Sequence, residues 1–247
     1  MAEDYESLRD TALAKIKQYM DSIDQNKGKK LAYWIEDYAN FLTQEQSFRP
    51  QNLIRYKRGS IVKVHFGYRV GAEEGGLHYA VVMDQNNSIH SPTVTVIPLT
   101  SVKSGVDLTK LHSSRVPIGN EVYTLLINKY NAELCSAKQH MREIREMIAN
   151  LNISDDHSPL EDKLNEVERE VDYCNKMKRT VSRMKQGSIA LVGQITTISK
   201  IRIYDPKFHN DALSKIRVSP TTLDLLDAKV QELFGAPAKK QKAGTLP

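Results

Sequence analysis

The chain has 247 residues, of which 40% are hydrophobic, with 12 Gly and 9 Pro. This composition excludes a fully disordered, collagen-like or disulfide-scaffold protein. The mean hydropathy is −0.47, and no apolar run approaches the roughly 18 residues that a membrane-spanning helix needs. The N-terminal segment is polar and lacks the apolar centre of a signal peptide, so we expect a cytoplasmic protein without membrane contact.

Charge and cysteine content give little indication of a bound partner. The formal net charge is +5, and three of those charges come from Lys239, Lys240 and Lys242 near the C-terminus, so basicity is weak evidence for nucleic-acid binding. Neither Cys135 nor Cys174 has a second Cys or His at ligand spacing. We therefore expect no metal, no disulfide framework and no cofactor.

Two amphipathic helices are predicted at the N-terminus. Apolar residues recur at three- and four-residue spacings through residues 5–23 and again through residues 31–42. The segment DQNKGKK between them has the Gly and polar residues of a helix-helix turn. We expect residues 1–50 to form an N-terminal helical extension that packs on the next domain rather than binding a ligand.

From Arg58 the apolar period changes to that of strands. The runs GSIVKVHFG, HYAVVMD and TVTVIPL are rich in Val and Ile and are bounded by Gly, Asn, Ser and Pro. SSRVPI adds a weaker strand, and GSIALVGQITTIS near residues 188–199 adds a long one. These runs predict a small antiparallel barrel or curved sheet over residues 51–125 and 187–235, which ends in an amphipathic helix after Ser219-Pro220.

The interval between those strands is predicted to be helical. Apolar residues alternate at three- and four-residue steps from Ile127 to Leu151 and again from Leu160 to Val181, which is typical of a coiled coil. The charges there are balanced, as expected of a solvated arm. We expect residues 126–186 to form an inserted antiparallel coiled-coil hairpin and residues 236–247 a disordered basic tail, which makes the fold class α+β.

The most distinctive segment is a Gly-rich loop that leads into a strand, VGAEEGGLHYAVV, starting at Val70. Gly75-Gly76 permits positive φ and close backbone approach, so this loop can present amide donors to an anion, although a Gly pair is more often simply a turn. The sequence contains no P-loop, no dinucleotide fingerprint, no HExxH and no GxSxG motif.

The order of the segments is the specific signal. KRGSIV at 57–62, the Gly-rich loop and its strand, SPT before VTVIPLTS, and QITTI from Gln194 together resemble the MazF/PemK family of type II toxin-antitoxin endoribonucleases. The resemblance covers residues 57–105 and 188–233. It is greatest to the branch with an N-terminal helical extension and, here, a coiled-coil insertion.

The resemblance implies a homodimeric SH3-like barrel that cleaves single-stranded RNA without a metal and leaves a 2′,3′-cyclic phosphate. By motif, the family's catalytic Arg falls on His78 and its catalytic Thr on Thr100. The candidates for substrate binding are Arg69, Gly75, Gly76, His65, Ser101 and Gln194. Other cations available for the phosphate backbone are Lys57, Arg58, Lys200 and Arg202, which could equally be solvated.

The exchange of Arg for His78 leaves two functions open. Arginine is a permanent cation, whereas histidine has a reference pKa of about 6.5 and can itself transfer a proton. The chain is therefore either an endoribonuclease or a non-catalytic RNA- or protein-binding module on the same fold. In the second case, His78 is only a strand-end residue satisfied by a backbone hydrogen bond.

The implied partners are single-stranded RNA and a cognate antitoxin, with DNA contacted only indirectly through that antitoxin. Direct DNA binding has no recognition helix to support it. For the inserted hairpin two roles stay open: it packs only on itself, or its tip, NLNISDDHSP, docks a partner such as the antitoxin or a ribosome.

Overall fold

The computed structural model describes residues 4–150 and 157–236. The chain divides into two compact units. The N-terminal residues through Phe48 form one unit together with His65–Leu77, and Arg49–Val64 form the other with the residues from His78 onward. Within the described ranges, no helix is both long and apolar enough to cross a membrane. The predicted basic tail lies, except for Ala236, outside the described residues.

The first unit contains two helices and a loop. Helix α1 (Tyr5–Ser22) and helix α2 (Gln25–Glu45) lie where the apolar spacing predicts them. The side chain of Asp24 accepts hydrogen bonds from the backbone N–H groups of Asn26 and Lys27 at 3.0 Å. Because this cap satisfies the first free N–H groups of α2, the helix begins inside the segment that was predicted to be the turn.

The second unit contains an antiparallel sheet. Its strands are β1 (Ile61–His65), β2 (Leu77–Val82), β3 (Thr93–Ser101), β4 (Arg115–Gly119), β5 (Ser188–Leu191), β6 (Thr196–Ser199) and β7 (Ile203–Asp205). The order is β4-β5-β3-β2-β1-β7, and β6 also pairs with β3. No pairing joins β4 to β7 among these strands, so the sheet is open. The α+β class is confirmed, and the closed SH3-like barrel is not.

The long strand predicted over residues 188–199 is wrong. A tight turn at Val192–Gln194 separates β5 from β6, and the two strands pair with different parts of the same edge of β3. The turn passes close to another segment, because a Cβ added at Gly193 would lie 2.8 Å from Cβ of Ser114. The N–H of Gly193 also donates to the carbonyl oxygen of Ser114 at 3.2 Å.

Both faces of the sheet are buried. On one face, strand residues join a core that also contains side chains from the helices and from the loop before the last helix; its members include Val81, Ile97, Leu99, Ala190, Leu126, Met177 and Leu226. The strand residues that alternate with these point to the opposite face. Four of them are also buried: Ala80, Val82, Val96 and Leu191. A site at the end of a strand can therefore combine a rigid base with partial exposure.

The inserted segment forms two paired helices, α3 (Glu121–Ala149) and α4 (Ser158–Arg183). At 1.5 Å per residue, the 29 residues of α3 span about 43 Å. The imidazole of His140 contacts the carboxylate of Glu170, and Lys163 forms an ion pair with Glu143. Since the later residue on α3 meets the earlier one on α4, the helices are antiparallel, as predicted. The predicted tip falls mostly on residues 151–156, which lie outside the described residues.

The apolar seam between α3 and α4 follows the predicted heptads only in part. Ala137, Ile144, Val167 and Cys174 are buried between the helices or at their base. Four other predicted seam positions are exposed: Met141, Ile148, Leu164 and Val171. The hairpin is therefore present, but a continuous coiled-coil seam is not confirmed.

The base of the hairpin belongs to the core of the second unit. Leu126 and Met177 are fully buried there. The Lys129 ammonium donates to the carbonyl oxygens of Ala212 and Ser214 at 3.2 and 2.7 Å. Helix α3 thus begins at Glu121, before the predicted boundary, because its first turns pack into the core.

The predicted C-terminal helix is present as α5 (Pro220–Phe234). The side chain of Ser219 caps its first turn by accepting the N–H of Thr222 at 3.2 Å. The carboxylate of Glu121 accepts the hydroxyl hydrogen of Thr222, which links α5 to the start of α3. These bonds cap α5 and join it to α3, and both helices contribute side chains to the core on one face of the sheet.

Candidate functional site

The strand register brings His78 and Thr100 together. Strands β2 and β3 are antiparallel, with Tyr79 opposite Leu99 and Ala80 opposite Pro98. Continuing that register by one residue places His78 opposite Thr100, and directly opposed residues project from the same face. Both side chains are half-buried at the end of the strands. The two predicted catalytic residues are therefore neighbours on one face of the sheet.

The hydrogen bond made by His78 fixes which nitrogen carries its hydrogen. Nδ1 of His78 lies 3.3 Å from the carbonyl oxygen of Leu99. A carbonyl oxygen only accepts hydrogen bonds, so Nδ1 is the donor. In the neutral ring, the lone pair is then on Nε2. This is the backbone bond that the structural hypothesis for His78 requires, and it also orients Nε2 as a possible base.

Ser101 lies on the other face of β3. It follows Thr100 in the strand and pairs with Ser188, whereas Thr100 pairs with Ile189. Because successive strand residues point to opposite faces, the Ser101 side chain does not accompany Thr100 and His78. The register separates Ser101 from the other two predicted residues.

The Gly-rich loop in the first unit is closed by its own backbone. The N–H of Phe66 donates to the carbonyl oxygen of Gly76 at 2.8 Å, and the N–H of Gly76 donates to the carbonyl oxygen of Gly67 at 2.7 Å. The amide of Gly76 therefore closes the loop. Glu73 also orders it, because a carboxylate oxygen of Glu73 accepts the N–H of Val70 at 3.2 Å.

Gly75 allows a close approach within this loop. A Cβ added there would lie 2.8 Å from Cβ of Arg69 and 2.9 Å from both the Arg69 nitrogen and the Gly67 oxygen. Two of those contacts are backbone atoms, which cannot move away easily. Arg69 itself is exposed on the loop. The glycine pair thus shapes a tight loop that carries an exposed cation.

His65 is packed against helix α2. Its ring stacks on Trp34 with ring centroids 4.7 Å apart, and its Nε2 lies 3.7 Å from a carboxylate oxygen of Asp37. Nδ1 of His65 accepts the N–H of Gly67 at 3.0 Å. The side chain is only 13% exposed. These contacts favour a packing role for His65 within the first unit over contact with substrate.

The surroundings of Gln194 and of two predicted phosphate-binding cations differ from those expected from the sequence. Gln194 lies in the turn between β5 and β6, half-buried, rather than in a strand. Arg58 bonds to the carbonyl oxygen of Met83 and pairs with Asp227. Lys200 is buried and donates to the carbonyl oxygen of Ser88 at 2.9 Å. Arg58 and Lys200 therefore hold the fold together.

Sequence inspection missed an ionisable group on the opposite face of the sheet. Lys63 on β1 lies opposite Asp205 of β7 in the strand register, and the Lys63 ammonium lies 5.8 Å from the ring centroid of Tyr79. Burial raises the pKa of Asp205 and, helped by the charge of Asp205, raises the pKa of Tyr79 to about 12. Tyr79 is therefore no proton donor near neutral pH. No local motif links β1 to β7.

Comparison with known proteins supports the resemblance over part of the chain. A sequence search of curated proteins found no match. The segment 188–233, which contains Gln194, lies outside the family match, and its resemblance stays a prediction. Residues 57–127, which include β1–β4 with His78 and Thr100, match the family model described as PemK-like, MazF-like toxin of type II toxin-antitoxin system.

Proposed function

We propose that the chain is a toxin-type endoribonuclease that cleaves single-stranded RNA without a metal. The observation that carries the proposal is the pairing of His78 with Thr100 on one sheet face, inside the segment that matches the toxin family. A half-buried strand end holds both side chains in place while leaving them access to a substrate. The sheet would be an SH3-like fold of the family kind.

In the proposed reaction, the 2′-oxygen of a ribose attacks the adjacent phosphorus and the bond from phosphorus to the 5′-oxygen breaks. Nε2 of His78 takes the proton from the 2′-hydroxyl group, and a water molecule protonates the departing 5′-oxygen. The Thr100 hydroxyl donates a hydrogen bond to the charged phosphorane. The products are a 2′,3′-cyclic phosphate and a 5′-hydroxyl end, and the histidinium returns its proton to solvent.

RNA binding would use the other residues that the resemblance implies. Arg69 is an exposed cation on the Gly-rich loop, whose last residues lead directly into β2 and His78. The amide of Gln194 would contact a base edge, which is how proteins distinguish single-stranded RNA sequences. The proposal also includes a homodimer and a cognate antitoxin, through which DNA would be contacted.

The test uses purified protein, an end-labelled pool of single-stranded RNA and a buffer containing a chelator. We expect wild-type protein to produce cuts with 5′-hydroxyl ends and a His78→Ala variant to lose at least about 100-fold in rate, since general acid-base catalysis contributes that much. His90→Ala is a matched control, because His90 is an exposed loop histidine. No cutting by wild type, or equal rates for both variants and wild type, would contradict the proposal.

A second function follows from the same His78 contact. The bond from His78 to Leu99 also suits a purely structural histidine, in a chain that binds RNA or protein without cleaving. This function predicts RNA binding by wild type without cleavage, and no toxicity on induction in a bacterial host. Cleavage by His78→Arg alone would identify a retained groove whose catalytic group has been lost.

A further inference from the structure

Three metal-ligating side chains converge on the α3–α4 hairpin. They are His140 on α3 and Glu166 and Glu170 on α4, and one ligand atom from each lies within 4.8 Å of the other two. Nδ1 of His140 is 2.9 Å from both carboxylate oxygens of Glu170. Since Glu166 and Glu170 are four residues apart, α4 presents both carboxylates on one face, opposite the imidazole.

The charge around this cluster is suited to a divalent cation. The Lys163 ammonium lies 3.2 Å from a carboxylate oxygen of Glu143 and 3.2 Å from one of Glu166. Two carboxylates, those of Glu143 and Glu166, thus contact this ammonium group, while the carboxylate of Glu170 contacts His140. The carboxylates of Glu143, Glu166 and Glu170 and the ammonium group of Lys163 together carry a net charge of minus two. One divalent ion balances that charge.

Two of the three side chains, those of His140 and Glu170, lie within the interhelical seam, whereas the Glu166 side chain is 49% exposed. His140 comes between the buried Ala137 and Ile144 on α3. On α4, Glu170 comes between the buried Val167 and Cys174. The side chains of His140 and Glu170 are 24% and 26% exposed. Partial removal from water strengthens the attraction between carboxylates and a cation, so this position is better for binding than an exposed helix surface.

We propose that His140, Glu166 and Glu170 bind a divalent transition-metal ion, with Zn²⁺ as the best fit. One imidazole nitrogen and two carboxylates are donors that zinc accepts, and a water molecule would complete four-coordination. The nitrogen donor disfavours Mg²⁺ and Ca²⁺. Two ligand atoms on a tetrahedral zinc are about 3.3 Å apart, so the pair at 2.9 Å needs to separate by less than about 0.5 Å, and a pair at the 4.8 Å limit of the cluster needs to approach by about 1.5 Å.

Binding would clamp α3 to α4 beyond the buried base of the hairpin. Glu166 must leave Lys163, which keeps Glu143 as its other partner. Exposed ion pairs of this kind contribute little, so the exchange is inexpensive. The role proposed here is structural and does not depend on RNA cleavage by the sheet.

The first experiment measures zinc binding by the untagged, metal-stripped full chain, using calorimetry with ZnCl₂. We expect one ion per chain and a higher Tm in the presence of zinc. His140→Ala and Glu170→Gln should each weaken binding at least about 100-fold, because even loss of an outer-shell partner costs 10- to 100-fold. Undetectable binding at 100 μM zinc, a concentration on the order of the Kd of a weak zinc site, would overturn the proposal.

Matched controls test the assignment of the ligands. His157→Ala removes a histidine at the start of α4, and Glu168→Gln removes an exposed carboxylate two residues from Glu170. Both controls should bind zinc as wild type does. If His140→Ala and Glu170→Gln also bind like wild type, the cluster is only an ion pair and the proposal fails.

Two further readouts keep the test informative if His140→Ala loses helicity. Co²⁺ bound in place of zinc should give visible absorption bands, and titration of these bands gives the apparent Co²⁺ affinity. We expect His140→Gln to lower that affinity at least 10-fold, on the order expected for an altered ligand shell. Lys163→Gln should tighten zinc binding, because it releases Glu166. Unchanged binding in both variants would overturn the proposed ligand set.

Discussion

Nδ1 of His78 donates a hydrogen bond to the carbonyl oxygen of Leu99, the residue just before Thr100. This contact occupies one ring nitrogen and directs the chemistry to the other. In a histidine that acts as a base, the two nitrogens therefore have separate duties, and substitutions that mimic each nitrogen can separate them.

The first prediction concerns these two nitrogens. His78→Asn places an amide near the position of Nδ1 and can keep the bond to Leu99, but it has no group at the position of Nε2. We expect cleavage to fall at least about 100-fold, as with alanine, while the free energy of unfolding changes little. Urea unfolding and cleavage rates measured on the same samples check this. A variant that still cleaves at the wild-type rate would show that Nε2 takes no part.

The second prediction concerns the hydroxyl group of Thr100. Thr100→Val removes the proposed donor to the phosphorane while keeping the branched shape of the side chain. Loss of one such donor costs about 100- to 1000-fold in rate, so we expect a fall of that order with substrate binding less affected. Thr100→Ser keeps the hydroxyl group and should stay close to wild type. Equal rates for the Val and Ser variants would contradict a hydroxyl role.

The third prediction concerns Gly75. Gly75→Ala would place a Cβ 2.9 Å from the backbone nitrogen of Arg69 and the backbone oxygen of Gly67. Overpacking of this kind costs about 1–3 kcal/mol, so the loop should open more often. Amide hydrogen exchange at Phe66 and Gly76, whose N–H groups close the loop, should become about 5- to 150-fold faster.

A control for this loop is Val70→Ala. The Val70 side chain is 78% exposed, and surface substitutions usually change stability by less than about 0.5 kcal/mol. Exchange at Phe66 and Gly76 should stay within about threefold of wild type. If Gly75→Ala exchanges no faster than Val70→Ala, the close approach at Gly75 has no energetic consequence.

Local sequence patterns predict the helices and strands of this fold better than they predict which distant segments contact each other. Alternating Val and Ile residues mark β1, β2 and β3, and three- and four-residue apolar spacings mark the helices. The break at Val192–Gln194 has no comparable local signal, because it depends on the approach of Gly193 to Ser114. A single glycine inside a strand pattern is ambiguous until the distant segment is known.

The candidate site shows the same division. Motif order pointed to His78 and Thr100, and the register of β2 and β3 places them side by side. The IVKVHFG motif also pointed to His65, but the His65 ring stacks on Trp34 of helix α2. The cluster at His140 was missed because it joins two helices across the hairpin, and no sequence spacing relates a histidine to that pair of glutamates.

The fourth prediction concerns the length of the hairpin. Replacing residues 135–170 with a short Gly-rich turn keeps Tyr130, Tyr173 and Met177, which pack in or against the core. We expect the shortened chain to fold and to cleave RNA, but not to bind zinc. Circular dichroism, the RNA assay and calorimetry check these outcomes. Loss of RNA cleavage in a folded, shortened chain would show that the distal hairpin serves the site.

The fifth prediction concerns Asp205 and pH. Burial raises the pKa of this carboxyl group above that in the unfolded chain, about 3.9. The folded state therefore binds more protons than the unfolded state between the two pKa values, so the contribution of Asp205 to stability falls as pH rises through that window. Asp205→Asn does not ionise, and its amide oxygen can still accept the N–H of Leu213, now bonded at 3.0 Å.

Relative to wild type, Asp205→Asn should therefore gain stability as pH rises from about 3.5, and the gain should level off above the folded pKa of Asp205. Urea unfolding at a series of pH values gives this difference directly. The matched control, Asp224→Asn, removes an exposed carboxyl group and should show a nearly constant difference. If the Asp205→Asn variant instead loses stability as pH rises, then attraction to Lys63 and Lys129 outweighs the cost of burying the charge.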